Sequence, residues 1–300
     1  MNTENCVIDH KISRKCYRCR LKRCLTMGMK KEYLQSQEEI QRKQNIKTSY
    51  LKPMIPEEFL IIQNIQSAFL SVFDNDCTEY NELVSLRSQD LSDLIKCLQF
   101  NSAIALRLIK FYRSIDHFEN LDCNDRFTLI KYNILVLLSI LSRFRRKSLT
   151  QSPLSSQQHE QEIKQQIYML CNRSDSMYEI IIDLTIHLND IIQSDDILLC
   201  LILIIFLFSK GLSMHEYEPS LHDSLSVHQA QLYYTEILWN YLISKQNEVN
   251  TCKYFTKMIT VMFRTQIEML KYKDFLRTEM MTLNTVDEIA PLMPTILHIS

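Results

Sequence analysis

From residue 56 onward the chain alternates between apolar and polar positions at three- and four-residue steps. Phe59, Ile62, Ile65, Phe69 and Val72-Phe73 fall on one face of a helix that opens on Pro56-Glu57-Glu58, a proline followed by two acids. Leu91, Leu94, Ile95 and Leu98 mark a second helix, and Ile104, Leu108, Phe111, Tyr112 and Ile115 a third. Leu129 to Leu141 is almost entirely apolar, so it needs neighbours on most sides. Residues 147 to 166 are rich in Ser and Gln and read as a solvated loop with a helical end. Helical periodicity resumes at Met177–Ile192, Ile197–Phe208, Gln229–Ile243 and Cys252–Leu276. The expected fold is all-α, a layered sandwich of about nine to twelve helices.

Composition sharpens this picture through what is scarce. There are 2 glycines and 6 prolines in 300 residues, too few for many hairpins or a glycine-rich phosphate loop. A P-loop, a dinucleotide fingerprint and most all-β folds are excluded. No HExxH pair or GxSxG elbow is present, so an enzyme is not expected. The longest apolar run, Ile197 to Phe208, is 12 residues, short of the roughly 18 to 20 that span a bilayer, so no membrane partner is expected.

Net charge is −1, but it is unevenly spread: residues 1–50 hold 12 Lys+Arg against 5 Asp+Glu, and the remainder 22 against 30. A small basic head on an acidic body points to polyanion binding at the N-terminal end. That head also holds four of the ten cysteines, as Cys6-x9-Cys16-x2-Cys19-x4-Cys24. A Cys-x2-Cys pair places two thiolates on one tetrahedral ion, and Cys6 reaches across a loop to add a third; buried thiols are the plainer reading. Arg14, Arg18 and Lys22 step by four and make a cationic stripe, with Arg23 beside it, of the kind that neutralises phosphates.

Residues 6 to 34, CVIDHKISRKCYRCRLKRCLTMGMKKEYL, resemble the second half of a nuclear hormone receptor DNA-binding domain, and the continuation is similar to the vitamin D, pregnane and ecdysone-type subgroup. The resemblance implies zinc on Cys6, Cys16 and Cys19, a packing role for Cys24, a Met27-Gly28-Met29 turn and a nuclear location. It also implies a fourth zinc cysteine and a first zinc module upstream of Cys6, which this sequence does not contain. The expectation is an incomplete zinc site and DNA contacts, through Arg14, Arg18, Lys22 and Arg23, that are weak or non-specific.

Residues 111 to 131, FYRSIDHFENLDCNDRFTLIK, resemble the signature of the same family's ligand-binding domain, with Arg126 where glutamine is usual. The implied organisation is a partial DNA-binding domain at 1–35, a hinge at 36–56 and a ligand-binding domain at 57–300. The implied function is a transcription factor that binds a small lipophilic ligand; the alternative is a helical interaction protein that titrates a dimer partner or coregulators.

The ligand is expected between the helices at 104–115, 129–144 and 252–276, near Leu108, Tyr112, Arg145 and Tyr272. Arg145 lies near where some relatives hold a ligand carboxylate, and Tyr272 where the vitamin D-type receptor has a ligand-contacting histidine. The implied partners are a retinoid X-type receptor, on a surface including Met258 and Met262 with Lys257 and Arg264 at its rim, and the LxxLL helices of coregulators. Leu292-Met293-Pro294-Thr295-Ile296-Leu297 looks like the activation helix, with Thr295 in place of its glutamate, and Arg113 matches the cation of the clamp.

Overall fold

The computed structural model describes residues 17–29, 54–73, 93–149, 161, 164–165, 167–193, 195–283 and 291–298. Two compact units divide the chain, Met1–Leu51 and Lys52–Ser300. In the first, α1 spans Tyr17–Thr26. It ends in a tight turn at Gly28, where φ is +95°, with amides of Met27, Gly28 and Met29 bonded back to the carbonyls of Arg23, Leu25 and Cys24. Only glycine adopts that φ without a Cβ penalty, which is why the helix stops here.

The second unit is all-helical over its described residues. Its helices are α2 (Pro56–Phe73), α3 (Asp93–Arg113), α4 (Asp116–Glu119), α5 (Cys123–Leu149), α6 (Asp175–Ile192), α7 (Asp196–Leu207), α8 (Ser224–Lys245), α9 (Glu248–Leu283) and α10 (Leu292–Leu297). The two helices expected at 91–98 and 104–115 are one, α3. The intervening Gln99–Ala103 is polar but holds neither glycine nor proline, so nothing ends the backbone ladder there.

Helices α5 and α7 form the interior. α5 packs against α3, α6, α7, α9 and α10, and α7 against α2, α5, α6 and α8. Every residue of α7 from Leu198 to Ile205 is buried, as its composition requires. Its N-terminus is capped by Asp195, whose carboxylate accepts from the amides of Ile197 and Leu198 at 3.1 and 3.2 Å. The same carboxylate accepts from the Tyr241 hydroxyl at 2.9 Å and from Lys245 Nζ at 2.7 Å, tying α8 to α7. Burial pushes the Asp195 carboxyl up, but Lys245, the Leu198 amide and the Tyr241 hydroxyl together hold it below the usual carboxylate range. Asp195 is thus a structural cap.

The C-terminal end of α7 is held by Asn133, fully buried within the apolar run of α5. Its amide donates to the carbonyls of Leu207 and Ser209 at 2.9 and 3.1 Å, which the end of a helix otherwise leaves without donors. Asp125, also buried, accepts the amides of His222 and Asp223 at 2.7 and 2.8 Å and anchors the start of α8 to the first turn of α5. Among the described residues no helix is long and apolar enough to cross a membrane.

Candidate functional site

The cationic head is described from Tyr17 to Met29. Arg18, Lys22 and Arg23 are exposed along α1. Their four-residue step puts Arg18 and Lys22 on one face, the arrangement that follows a line of phosphates. Arg14, Cys6 and Cys16 lie outside the described residues, as does the side chain of Cys19. Cys24 is half-buried with a free thiol.

At the other end of the chain, α10 lies on α3, α5 and α9. Met293, Ile296 and Leu297 are buried, so the apolar face expected to dock does so, with Met293 inside it and Leu292 at its edge. Pro294 falls in the first turn, where its missing N–H costs nothing. Thr295 spends its hydroxyl on the carbonyl of Pro291 at 2.9 Å. It carries no charge toward solvent.

Arg113 ends α3, largely exposed. Its guanidinium grips the Glu119 carboxylate at both oxygens, at 3.2 and 3.3 Å, and Arg126 meets the same carboxylate at 2.8 Å. Hydrogen bonds from Arg113 and then Arg126 hold the Glu119 carboxyl below its usual range. The cation expected to face a partner helix is therefore engaged with α4.

Of the residues expected near a ligand, Leu108 and Tyr112 have 0% exposure. Tyr112 sits in an aromatic chain, 5.4 Å from the Phe111 ring and 6.1 Å from that of Phe118, and its hydroxyl donates to the carbonyl of Leu203 at 3.3 Å. Neither side chain reaches solvent. The Tyr272 hydroxyl likewise donates to the carbonyl of Leu170 at 3.1 Å. The side chain of Arg145 lies outside the description.

The partner surface needs correction. Met258 and Met262 are 4% and 5% exposed and belong to the core. Lys257 and Arg264, expected at its rim, pair with Asp190 and Asp183 on α6. α9 is apolar on two faces, and periodicity alone did not say which was inward. The outward stripe is Ile259, Phe263 and Ile267, at 47%, 63% and 47% exposure and four residues apart.

Residues 1–31 match the family of C4-type double treble clef zinc fingers. Retinoic acid receptor alpha of Xenopus laevis is 25% identical over 150 residues, 47% of this chain and 33% of the relative. Retinoic acid receptor gamma of the same species is 28% identical over 152 residues, 47% and 32% of the two chains. The vitamin D3 receptor of Gallus gallus is 35% identical over 89 residues, 26% of this chain and 20% of the relative.

Over these segments the chain is similar to nuclear hormone receptors. The alignments span about a third of the length of the retinoic acid receptors it matches and a fifth of the vitamin D3 receptor. The helices of the described residues and the C4 zinc-finger match at residues 1–31 agree with that similarity. A Cys-x2-Cys pair with a further upstream cysteine supplies three thiolates suited to zinc, one short of the four of a closed structural site. Sequence reading missed Asn133, Asp195 and Glu119. Asn133 left a signal, a lone amide inside an apolar helix, while the other two carboxylates look like ordinary surface charge.

Proposed function

We propose that this chain is a ligand-regulated transcription regulator acting in the nucleus. The observation that carries the reading is the order of its parts: a zinc-finger match at residues 1–31, then a helical body ending in a short apolar helix docked on that body. Zinc is held by Cys6, Cys16 and Cys19, and in holding them it orders the basic segment around them. Arg14, Arg18, Lys22 and Arg23 contact DNA phosphates; the exposure of the last three supports this role.

Coregulator LxxLL helices bind beside α10, with Arg113 meeting their C-terminal carbonyls. Thr295 gives a weak contact at the other end because it is short and neutral. A retinoid X-type receptor docks on the stripe Ile259, Phe263 and Ile267 rather than on Met258 and Met262. A small lipophilic ligand lies between α3, α5 and α9, reaching Leu108, Tyr112, Tyr272 and Arg145, and is shielded from solvent there, since Leu108 and Tyr112 are enclosed.

The test is co-purification of the full chain with a retinoid X-type receptor. The unmodified chain is expected to retain the partner, and Phe263→Asp with Ile267→Asp to release it while helicity is unchanged. Retention by that double variant would place the interface elsewhere. No retention by the unmodified chain would remove this partner from the reading.

A further inference from the structure

Helix α10 lies on α3 and α5, and those two helices also turn apolar side chains outward. Leu106 on α3 and Phe127 on α5 are 57% and 56% exposed. Each shares a helical face with a cation. Arg113 follows Leu106 by two turns, and Lys131 follows Phe127 by one. Lys131 marks the α10 end of this face. It lines one small cavity together with Ile296 of α10, and its Nζ stands 5.8 Å from the ring centres of Phe127 and Tyr132. Arg113 marks the other end, in the last turn of α3 with Lys110.

Both ends are positive. Arg113 and Arg126 share the single carboxylate of Glu119, which leaves one positive charge there. Among the described residues no carboxylate pairs with Lys131. Three acids stand in the wider surroundings. Glu218 in the loop at 208–223 takes the Gly211 amide with both oxygens at 3.1 Å, Glu216 acts on His215, and Asp274 acts on Lys273. None of the three is bonded to Lys131. Lys273 and Arg277 add to the positive field that Lys131 sets up at α10. Thr295 is neutral and does not offset it. From residue 51 onward the chain is acidic, with 22 Lys+Arg against 30 Asp+Glu, so this cationic face is a local inversion of the body's charge.

An apolar helix laid on Leu106 and Phe127 presents partial positive charge at its first amides and partial negative charge at its last carbonyls. A face that is positive at both ends satisfies only the carbonyls, whichever way the helix points. The amide end is attracted only if the helix carries its own acids there. We propose that Lys131 makes this face selective for apolar helices that begin with Asp or Glu. This rests on the coregulator reading above and names the kind of LxxLL helix the chain takes. Its leucines pack on Leu106 and Phe127, its last carbonyls meet Arg113, and acids in or just before its first turn pair with Lys131.

The test is anisotropy titration of the full zinc-loaded chain with three labelled peptides, blocked at both ends. They share one LxxLL core and differ only in the three residues before it, which are all Glu, all Ser or all Lys. At about 50 mM salt the Glu peptide is expected to bind about three- to tenfold tighter than the Ser peptide, and the Lys peptide more weakly than either. The spread should narrow at about 200 mM. Acids before a helix also stabilise it in isolation, so substitutions at Lys131 carry the assignment. Lys131→Gln should narrow the spread and Lys131→Glu should favour the Lys peptide. Equal affinity of the three peptides for the unmodified chain overturns the selectivity and leaves the coregulator reading in place, whereas binding of none of them removes both. The same spread in Lys131→Gln as in the unmodified chain, with helicity unchanged, overturns the role of Lys131.

Discussion

At the scale of single residues, the two ends of the proposed coregulator clamp are both weakened, and for different reasons. Arg113 is present but gripped by Glu119, and Thr295 lacks the charge its position calls for. Glu119→Gln should loosen Arg113 and strengthen binding of an LxxLL peptide, and Thr295→Glu should do the same at the opposite end. Each gain is about 0.3 to 1 kcal/mol, the worth of a charge at a helix terminus, read by peptide titration. Tight binding by the unmodified chain, unchanged by either substitution, would contradict this description of the clamp. His298 makes a second residue-scale prediction. Its folded-state pKa is near 3, against about 6.5 when released, because burial and then Lys273, His215, Lys131 and Arg277 disfavour its charged form. Above pH 6.5 the imidazole is neutral whether α10 is docked or free. Below it only the free form takes up the proton, so docking weakens progressively from pH 6.5 toward 3. Lys273, near 8, is charged in both forms throughout that window. The protection of the α10 amides, measured against the intrinsic exchange rate at each pH, should therefore fall on acidification in the unmodified chain and less so in His298→Phe; an equal fall in both would contradict the linkage.

At the scale of elements, most helices were legible because burial leaves a period in the sequence, and the errors have physical causes. The break expected near residues 99–103 rested on polarity, but Ser102 is buried within a continuous α3, since polar residues do not interrupt a helix unless they cap it or lack an N–H. Cys252–Leu276 was recognised as helical, yet its two apolar faces made inside and outside indistinguishable until α6 was seen to take Lys257 and Arg264. Asn133 holds the far end of α7 from another helix, and its one local trace is a lone amide in apolar surroundings; Asp195 caps α7 locally, while its ties to Tyr241 and Lys245 lie about fifty residues away. The two faces of α9 make a prediction at this scale. Met262→Ala opens a cavity in the core and should cost about 2 to 5 kcal/mol in denaturant unfolding, while Phe263→Ala should cost far less stability and act on partner retention instead. Equal losses of stability at both positions would show that the exposed stripe is part of the core.

At the scale of the whole molecule, the chain joins a basic, cysteine-bearing head to an acidic helical body, and that asymmetry was the most legible functional signal of all. It is written in charge counts and cysteine spacing, which need no fold to be read. Ligand chemistry was the least legible, because apolar side chains at helical spacing look the same around a filled core as around a cavity. The central claim is that the head binds nucleic acid through zinc-ordered cations. It is tested most directly by fluorescence anisotropy of a labelled duplex titrated with the purified, zinc-loaded chain at about 50 and 200 mM salt. Affinity should fall steeply between the two salt concentrations and differ little between a hexamer half-site and its scrambled counterpart. Arg18→Ala, Lys22→Ala and Arg23→Ala combined should lower the slope of log K against log salt by roughly three phosphate contacts, and chelating the zinc should abolish binding. No binding to duplex DNA at low salt, or binding that survives zinc removal and the triple substitution, would contradict the claim.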